Sequence, residues 1–497
     1  MTQAQRGSGP DAIVIGAGPN GLAAAITLAR AGRSVLVYEA ASTPGGGARS
    51  AELTLPGFIH DPCSAIHPTA LASPFFQSLD LGRHGLEWIH PDAPVAHPLD
   101  GGRVAMLERS VADTSSRLDS GAQPGDGRAW GRLFGSITRA ADSLAPELLG
   151  PVVHFPRHPI ALARFGLPSL LSGTALARLA FRGEEARALF GGLAAHSMVA
   201  LNQPLTAAFG MSMGLFAHGF GWPMARGGSG RIVDALVAEL TSLGGSIVTD
   251  HRVASMSELG RARAYLFDVT PRQLLSIAVN RLPDRYRRQL AGFRQGPGVF
   301  KLDWALDGPI PWIAADAARA ATVHLGGTLR EVAAGEAEVA AGRHPERPFV
   351  LLVQQTPFDP SRAPAGKHTA WAYAHVPNGS NVDMTHAIES QVERFAPGFR
   401  DLILARSARD SAAMEAYDEN YVGGDINGGI ADWRQLIFRP VPSLDPYRTP
   451  TRGIYICSSS TPPGGGVHGM SGYFAARSAL RHEFGRRGPA RRGAAFA

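Results

Sequence analysis

The chain has 497 residues, 44% hydrophobic and 18% charged, with a formal net charge of +6. That balance excludes a disordered chain and an integral membrane protein, and the length accommodates two or three domains. Two cysteines far apart in sequence, Cys63 and Cys457, form no CxxC pair, which excludes a redox dithiol, a disulfide framework and a cysteine-based metal site.

Met1 to Pro10 is short and polar, so no secretory signal is expected and the protein reads as cytoplasmic. The first predicted elements are a strand, a glycine turn and a helix: Ile13-Val14-Ile15-Gly16-Ala17-Gly18-Pro19-Asn20-Gly21, then an apolar run from Leu22 to Leu28. A second strand, Val35 to Tyr38, closes on Glu39. In this order Gly16 permits the tight turn, Gly18 lets the backbone approach a pyrophosphate, and Gly21 lets the helix lie close to its strand. The free N–H groups at the helix start, around Pro19 and Asn20, face the phosphates, and the Glu39 carboxylate accepts from ribose hydroxyls while repelling a 2′-phosphate. The next loop, Gly45 to Ser50, brings Gly46 and Gly47 past the dinucleotide and offers Arg49 to the pyrophosphate.

From Ala188 to Ala225 there is no Asp, Glu, Lys or Arg. A membrane-spanning helix needs roughly 20 apolar residues, and Asn202-Gln203-Pro204 breaks this stretch. It reads as two buried helices lining an apolar cavity, with plain helical core and a membrane-facing patch as the alternatives. Arg226-Gly227-Gly228-Ser229-Gly230-Arg231 then leads into an amphipathic helix with Ile232, Leu236, Leu240 and Leu243 on one side, followed by strands at Ser246 to Thr249 and Ala264 to Phe267. The last strand, Gly453 to Cys457, runs into Ser458 to Gly472 and a terminal helix. Its loop contains Gly465, Gly466, Val467, His468 and Gly469, a second place where backbone N–H groups can stabilise negative charge, here on a reduced ring.

These pieces predict an α/β protein. A discontinuous Rossmann-type FAD-binding domain takes residues 1–74, 224–270 and 451–485, and an inserted α+β substrate domain takes 75–223 and 271–450. The end, 486–497, is basic and expected to be a solvated tail rather than a nucleic-acid-binding arm.

The fingerprint with Glu39, the Gly45 to Ser50 loop, Pro223 with Gly227 to Gly230, and Thr461-Pro462-Pro463-Gly464-Gly465-Gly466-Val467-His468-Gly469 together resemble the phytoene desaturase-like FAD oxidoreductases, which include carotenoid desaturases and isomerases. Val299 to Leu306, Arg362 to His368, His375-Val376-Pro377 and Gly423 to Gly429 look closer to the branch of pyridine nucleotide-disulfide oxidoreductase domain-containing protein 2. The resemblance spans the chain and implies FAD as cofactor, with an adenine-side contact at Val253. It also implies an apolar, polyene- or isoprenoid-like substrate that is desaturated, saturated or isomerised by hydride exchange with flavin N5. Between Val253 and Tyr265 the chain is shorter than the family pattern.

With one fingerprint, the electron acceptor is expected to be oxygen, a quinone or a diffusing NAD(P). If the reaction needs a base, the candidates are His375, Asp303 and Asp425. Two rival readings remain at this level: an amine-oxidase-like enzyme, with a cage from Trp371, Tyr373 and Tyr421, and a FAD-bound interaction protein without catalysis. A pocket lined by Phe190, Leu193, Met198, Phe209, Met213 and Phe216 argues for lipid. No metal is expected, and peripheral membrane contact is left open.

Overall fold

The computed structural model describes residues 9–121 and 123–485. The expected basic tail, 486–497, and residues 1–8, part of the short polar start that carries no expected secretory signal, lie outside them.

In chain order the strands of the two main sheets are β1 (Ala12–Ile15), β2 (Val35–Tyr38), β3 (Ala93–Leu99), β4 (Arg103–Leu107), β5 (Ser246–Val248) and β6 (Ala264–Phe267). They continue as β7 (Gly298–Leu306), β8 (Ala320–Leu325), β9 (Val350–Gln354), β10 (His368–Val376), β11 (Ile403–Arg409) and β12 (Ile454–Ile456). The helices that frame the site and its approach are α1 (Pro19–Arg30), α2 (Pro159–Ser169), α3 (Gly173–Ala180), α4 (Glu184–Ala195), α5 (Thr206–Gly219), α6 (Gly230–Ser242) and α7 (Met470–Glu483).

The first sheet is parallel, in the order β12-β6-β1-β2-β5. Its central strand reads Ala-Ile-Val-Ile and is buried at every position, as a strand covered by helices on both faces must be. Pairing levels Ile15 with Tyr38 and with Phe267, so the next residues, Gly16, Glu39 and Asp268, emerge together at the carboxyl edge beside the point where the strand order reverses. That edge is where open α/β sheets bind ligands. Helices α1 and α7 cross so closely that a Cβ on Gly472 would stand 1.8 Å from the Asn20 carbonyl oxygen. Only a short 3₁₀ turn, Met256–Glu258, lies between β5 and β6, in keeping with the short stretch after Val253.

The second sheet runs β11-β7-β10-β9-β8-β3-β4 and is antiparallel except where β3 meets β8. Alternation divides its two faces. Phe300, Leu302, Trp304, Val323, Leu352 and Ala372 build a closed core on one face. Lys301, Asp303, Trp371, Tyr373, Leu351, Val353 and Thr322 share the other face through registers that pair Lys301 with Tyr373, Asp303 with Trp371, and Val353 with both Trp371 and Thr322. The uncharged stretch does form two helices, α4 and α5, with Asn202-Gln203-Pro204 between them.

Candidate functional site

The fingerprint turn is built by contacts that leave no room for side chains. Gly16 has φ +98°, and a Cβ on Gly21 would meet the Gly16 carbonyl oxygen at 2.0 Å. Helix α1 starts at Pro19 with Gly18 as its cap, which has no side chain to accept from the first turn; of the first N–H groups, that of Gly21 donates to Asp268 Oδ2. Glu39 is held at the edge by the N–H groups of Ala17 (2.7 Å) and Ala41 (2.9 Å), with the Arg49 guanidinium 3.7 Å from its Oε1.

Two cavities meet over this turn, sharing Gly18, Gly46, Asp268, Asp418 and Asn420. One, of about 530 Å³, is lined by Gly16, Tyr38, Glu39, Arg49, His251 and Val253. The other, of about 280 Å³, is lined next to the turn by Pro19, Asn20, Gly47, Gly465, Gly466 and Val467. Its far wall is Phe209 and Met213 of α5, Trp222, His196, and the sheet-face residues Leu351, Val353, Trp371 and Tyr373, with Tyr421 and Ile426. The Trp371 and Tyr373 rings stack at 5.7 Å with 15° between their planes.

The residues present fit a dinucleotide cofactor laid across both cavities. Its phosphates would lie over the shared waist at the α1 N-terminus. Asn20 Oδ1 and Arg49 Nε, each on the lining, are buried without a protein partner, which suits a polar guest. A Cβ on Gly47 would collide with the Tyr421 hydroxyl at 1.8 Å, so the glycine leaves the aromatic side chain its place on the cavity wall.

Most of the expected cofactor residues line one cavity or the other, and Gly21 lies one residue behind, its N–H donating to Asp268 Oδ2 at 2.7 Å. His468 and Gly469 sit beyond the lining. The His468 ring is bonded to the Gly464 carbonyl (3.1 Å) and accepts from the Met470 N–H (3.0 Å), shaping the loop, and Gly469 caps α7 against Ala23 and Phe75.

The three expected bases need correction, because each is committed elsewhere and none lines the cavities. Asp303 is fully buried, 2.5 Å from Lys301 Nζ, which itself stands 5.0 Å over the Trp371 ring. Asp425 accepts three backbone N–H bonds, from Gly296, Asn427 and Gly429, at 2.6 to 2.9 Å, and so ties a loop together. His375 is buried against Glu336 at 2.8 Å.

Among the six apolar candidates, Phe209 and Met213 reach the cavity. Phe190, Leu193 and Phe216 turn into the main core, and Met198 packs beside Cys63, Val299 and Met414. Cys63 lines the smaller cavity and not the larger, its thiol pushed up to about 11 by burial, and Cys457 is buried and free.

Sequence reasoning missed Asp268, Asp418 and His196. Burial first, with Asp418 and Glu39 adding, pushes the Asp268 carboxyl up to about 8 against the pull of the Gly21 N–H. Burial likewise raises Asp418. Burial, and then His375, brings His196 down to about 4, so it faces the cavity uncharged, hydrogen-bonded ring to ring with His324 at 3.1 Å. A signal for Asp268 existed: it directly follows a strand that ends at the ligand-binding edge of the sheet.

Comparison with known proteins supports this placement. Residues 14–79 match the NAD(P)-binding Rossmann-like domain. The match takes in the fingerprint turn, α1 and Glu39. The chain is 27% identical to rat pyridine nucleotide-disulfide oxidoreductase domain-containing protein 2, over 95% of this chain and 93% of the relative. Among solved structures, an oxidoreductase from Methanosarcina mazei superposes with a TM-score of 0.63 at 16% identity, covering 95% of this chain and 99% of the other. Putrescine oxidase bound to putrescine gives 0.59 at 17% identity, with 95% and 98% covered. The fold is the one these two structures share.

Proposed function

We propose that the chain is a FAD-dependent oxidoreductase that exchanges hydride with an apolar substrate seated against the aromatic face of the second sheet. The phytoene desaturase-like resemblance supplies the class of reaction: desaturation, saturation or isomerisation at conjugated or allylic carbons of an isoprenoid-like molecule. When bound, FAD supplies a two-electron acceptor at its ring N5.

The observation that carries the reading is the chemistry of the far wall. Among the described residues no Lys, Arg or Glu lines the smaller cavity, and its two acids, Asp268 and Asp418, sit at the waist shared with the other cavity. His196, on the same lining, is held neutral. Phe209, Met213, Leu351, Val353 and Trp371 therefore offer contact area and water exclusion rather than charge. Such a wall holds a neutral chain or ring and offers a buried ammonium no carboxylate to pair with.

Amine oxidation is the second reading. It is favoured by the stacked Trp371 and Tyr373 beside Tyr421, a wall that suits a neutral amine, and by the fold shared with putrescine oxidase. Anaerobic titration of the purified protein with polyenes and with amines separates the two. Bleaching of the flavin bands by a polyene is the expected result. Bleaching by amines alone moves the assignment to the second reading, and no bleaching by either class overturns both in favour of a non-catalytic flavoprotein.

A further inference from the structure

We infer that the segment from Val152 to Leu179 is a membrane-docking surface that seats on an anionic lipid bilayer. Apolar side chains that a soluble fold ordinarily buries stand in solvent here: Phe155 is 93% exposed, Leu179 75%, Ile160 70% and Leu167 69%, with Val153 and Leu170 beside them in sequence and also exposed. So many large apolar groups within one short segment mark an interaction site, not scattered surface residues. The uncharged stretch 188–225, which raised the same question from sequence, is instead largely buried in α4 and α5.

Charge identifies the partner. Between Glu147 and Glu184 there is no Asp or Glu, whereas Arg157, Arg164, Arg178 and Arg182 all fall in that interval and all are exposed. Apolar side chains flanked by guanidiniums match acyl chains beneath phosphate headgroups. A second copy of this chain would bring the same four positive charges against themselves across a two-fold contact.

Geometry makes the contact lie on the bilayer rather than cross it. No single helix among the described residues is long and apolar enough to span a membrane; α2 and α3 together are, but they meet at 100° and so form no straight span. Both helices pack against α5, which carries Phe209 and Met213 of the cavity wall. Docking therefore places the bilayer next to the helix layer that covers the apolar cavity. This inference goes beyond the proposed reaction and does not depend on it.

Cosedimentation of the full-length protein with phosphatidylglycerol vesicles and with phosphatidylcholine vesicles tests it. The expected result is binding to the anionic vesicles, weaker binding to the zwitterionic ones, and a loss of roughly tenfold or more in the Phe155→Glu/Leu167→Glu double variant. Both substituted side chains are exposed, so the variant is expected to keep its melting temperature and flavin content. Should these fall, Arg157→Glu/Arg178→Glu provides the same test on the charge. Wild type that stays in solution with both vesicles, or variants that sediment as wild type does, would overturn the inference. So would a wild-type dimer that the double variant converts to monomer without vesicle binding, which would give the surface to a second copy.

Discussion

Asp268 makes stability depend on pH in a way that can be worked from the structure. Its carboxyl lies at the end of β6 with Oδ2 2.7 Å from the Gly21 N–H, and burial above all raises it from 3.8 to about 8. Between those values the folded chain binds more protons than the unfolded one. The stability that the neutral carboxyl contributes is therefore full below about pH 4, declines as pH rises, and is lost above about pH 8. Within that window the slope is about 1.4 kcal/mol per pH unit, and it flattens near the folded value, so Asp268 withdraws about 2 kcal/mol between about pH 6 and pH 8. Asp268→Asn keeps an oxygen to accept from Gly21 and has no proton to lose. Urea unfolding of the flavin-stripped proteins, followed by tryptophan fluorescence across this range, should show the variant gaining about 2 kcal/mol on wild type from about pH 6 to pH 8. Asp418 and Asp425, also raised by burial, are present in both proteins and largely cancel. A difference that stays constant across the range would refute the reasoning.

Three further outcomes follow from contacts already described. Gly18→Val should abolish flavin binding with the fold retained, because a side chain there would enter the shared waist and stand 2.9 Å from Asp268 Oδ2; unchanged flavin absorbance would contradict the placement. Gly472→Ala must push α7 away from the Asn20 carbonyl and should cost about 1–3 kcal/mol in thermal or urea unfolding, with weakened flavin retention. Lys301→Met alone leaves the buried Asp303 carboxylate without its closest cation and should cost about 3–5 kcal/mol, whereas Lys301→Met with Asp303→Leu should recover most of that, both read by unfolding.

What could be read from the sequence was what the backbone fixes locally. The turn from Gly16 to Gly21 and the loop from Gly464 to Gly466 announce themselves because positive φ and close approach select glycine, and Glu39 follows from its place after a strand. The bases were misread because their commitments lie across the fold: Asp425 is claimed by Gly296 and His375 by Glu336. For Asp303 a local signal was available, since Lys301 two residues earlier on a strand must share its face. His196 and the Trp371/Tyr373 wall depend on sheet register and helix placement, which no single segment encodes. The exposed surface at 152–179 and the buried stretch at 188–225 are both rich in apolar residues; Arg157, Arg164 and Arg178 mark the first in sequence, but which apolar side chains stay in solvent is decided by packing.

The claim on which the rest depends is that one FAD lies across the two joined cavities. Denaturing the purified protein and chromatographing what it releases tests that directly. The account predicts FAD at about one molecule per chain. Release of FMN or of NAD(P) alone, or of no nucleotide after reconstitution with excess FAD, would contradict it.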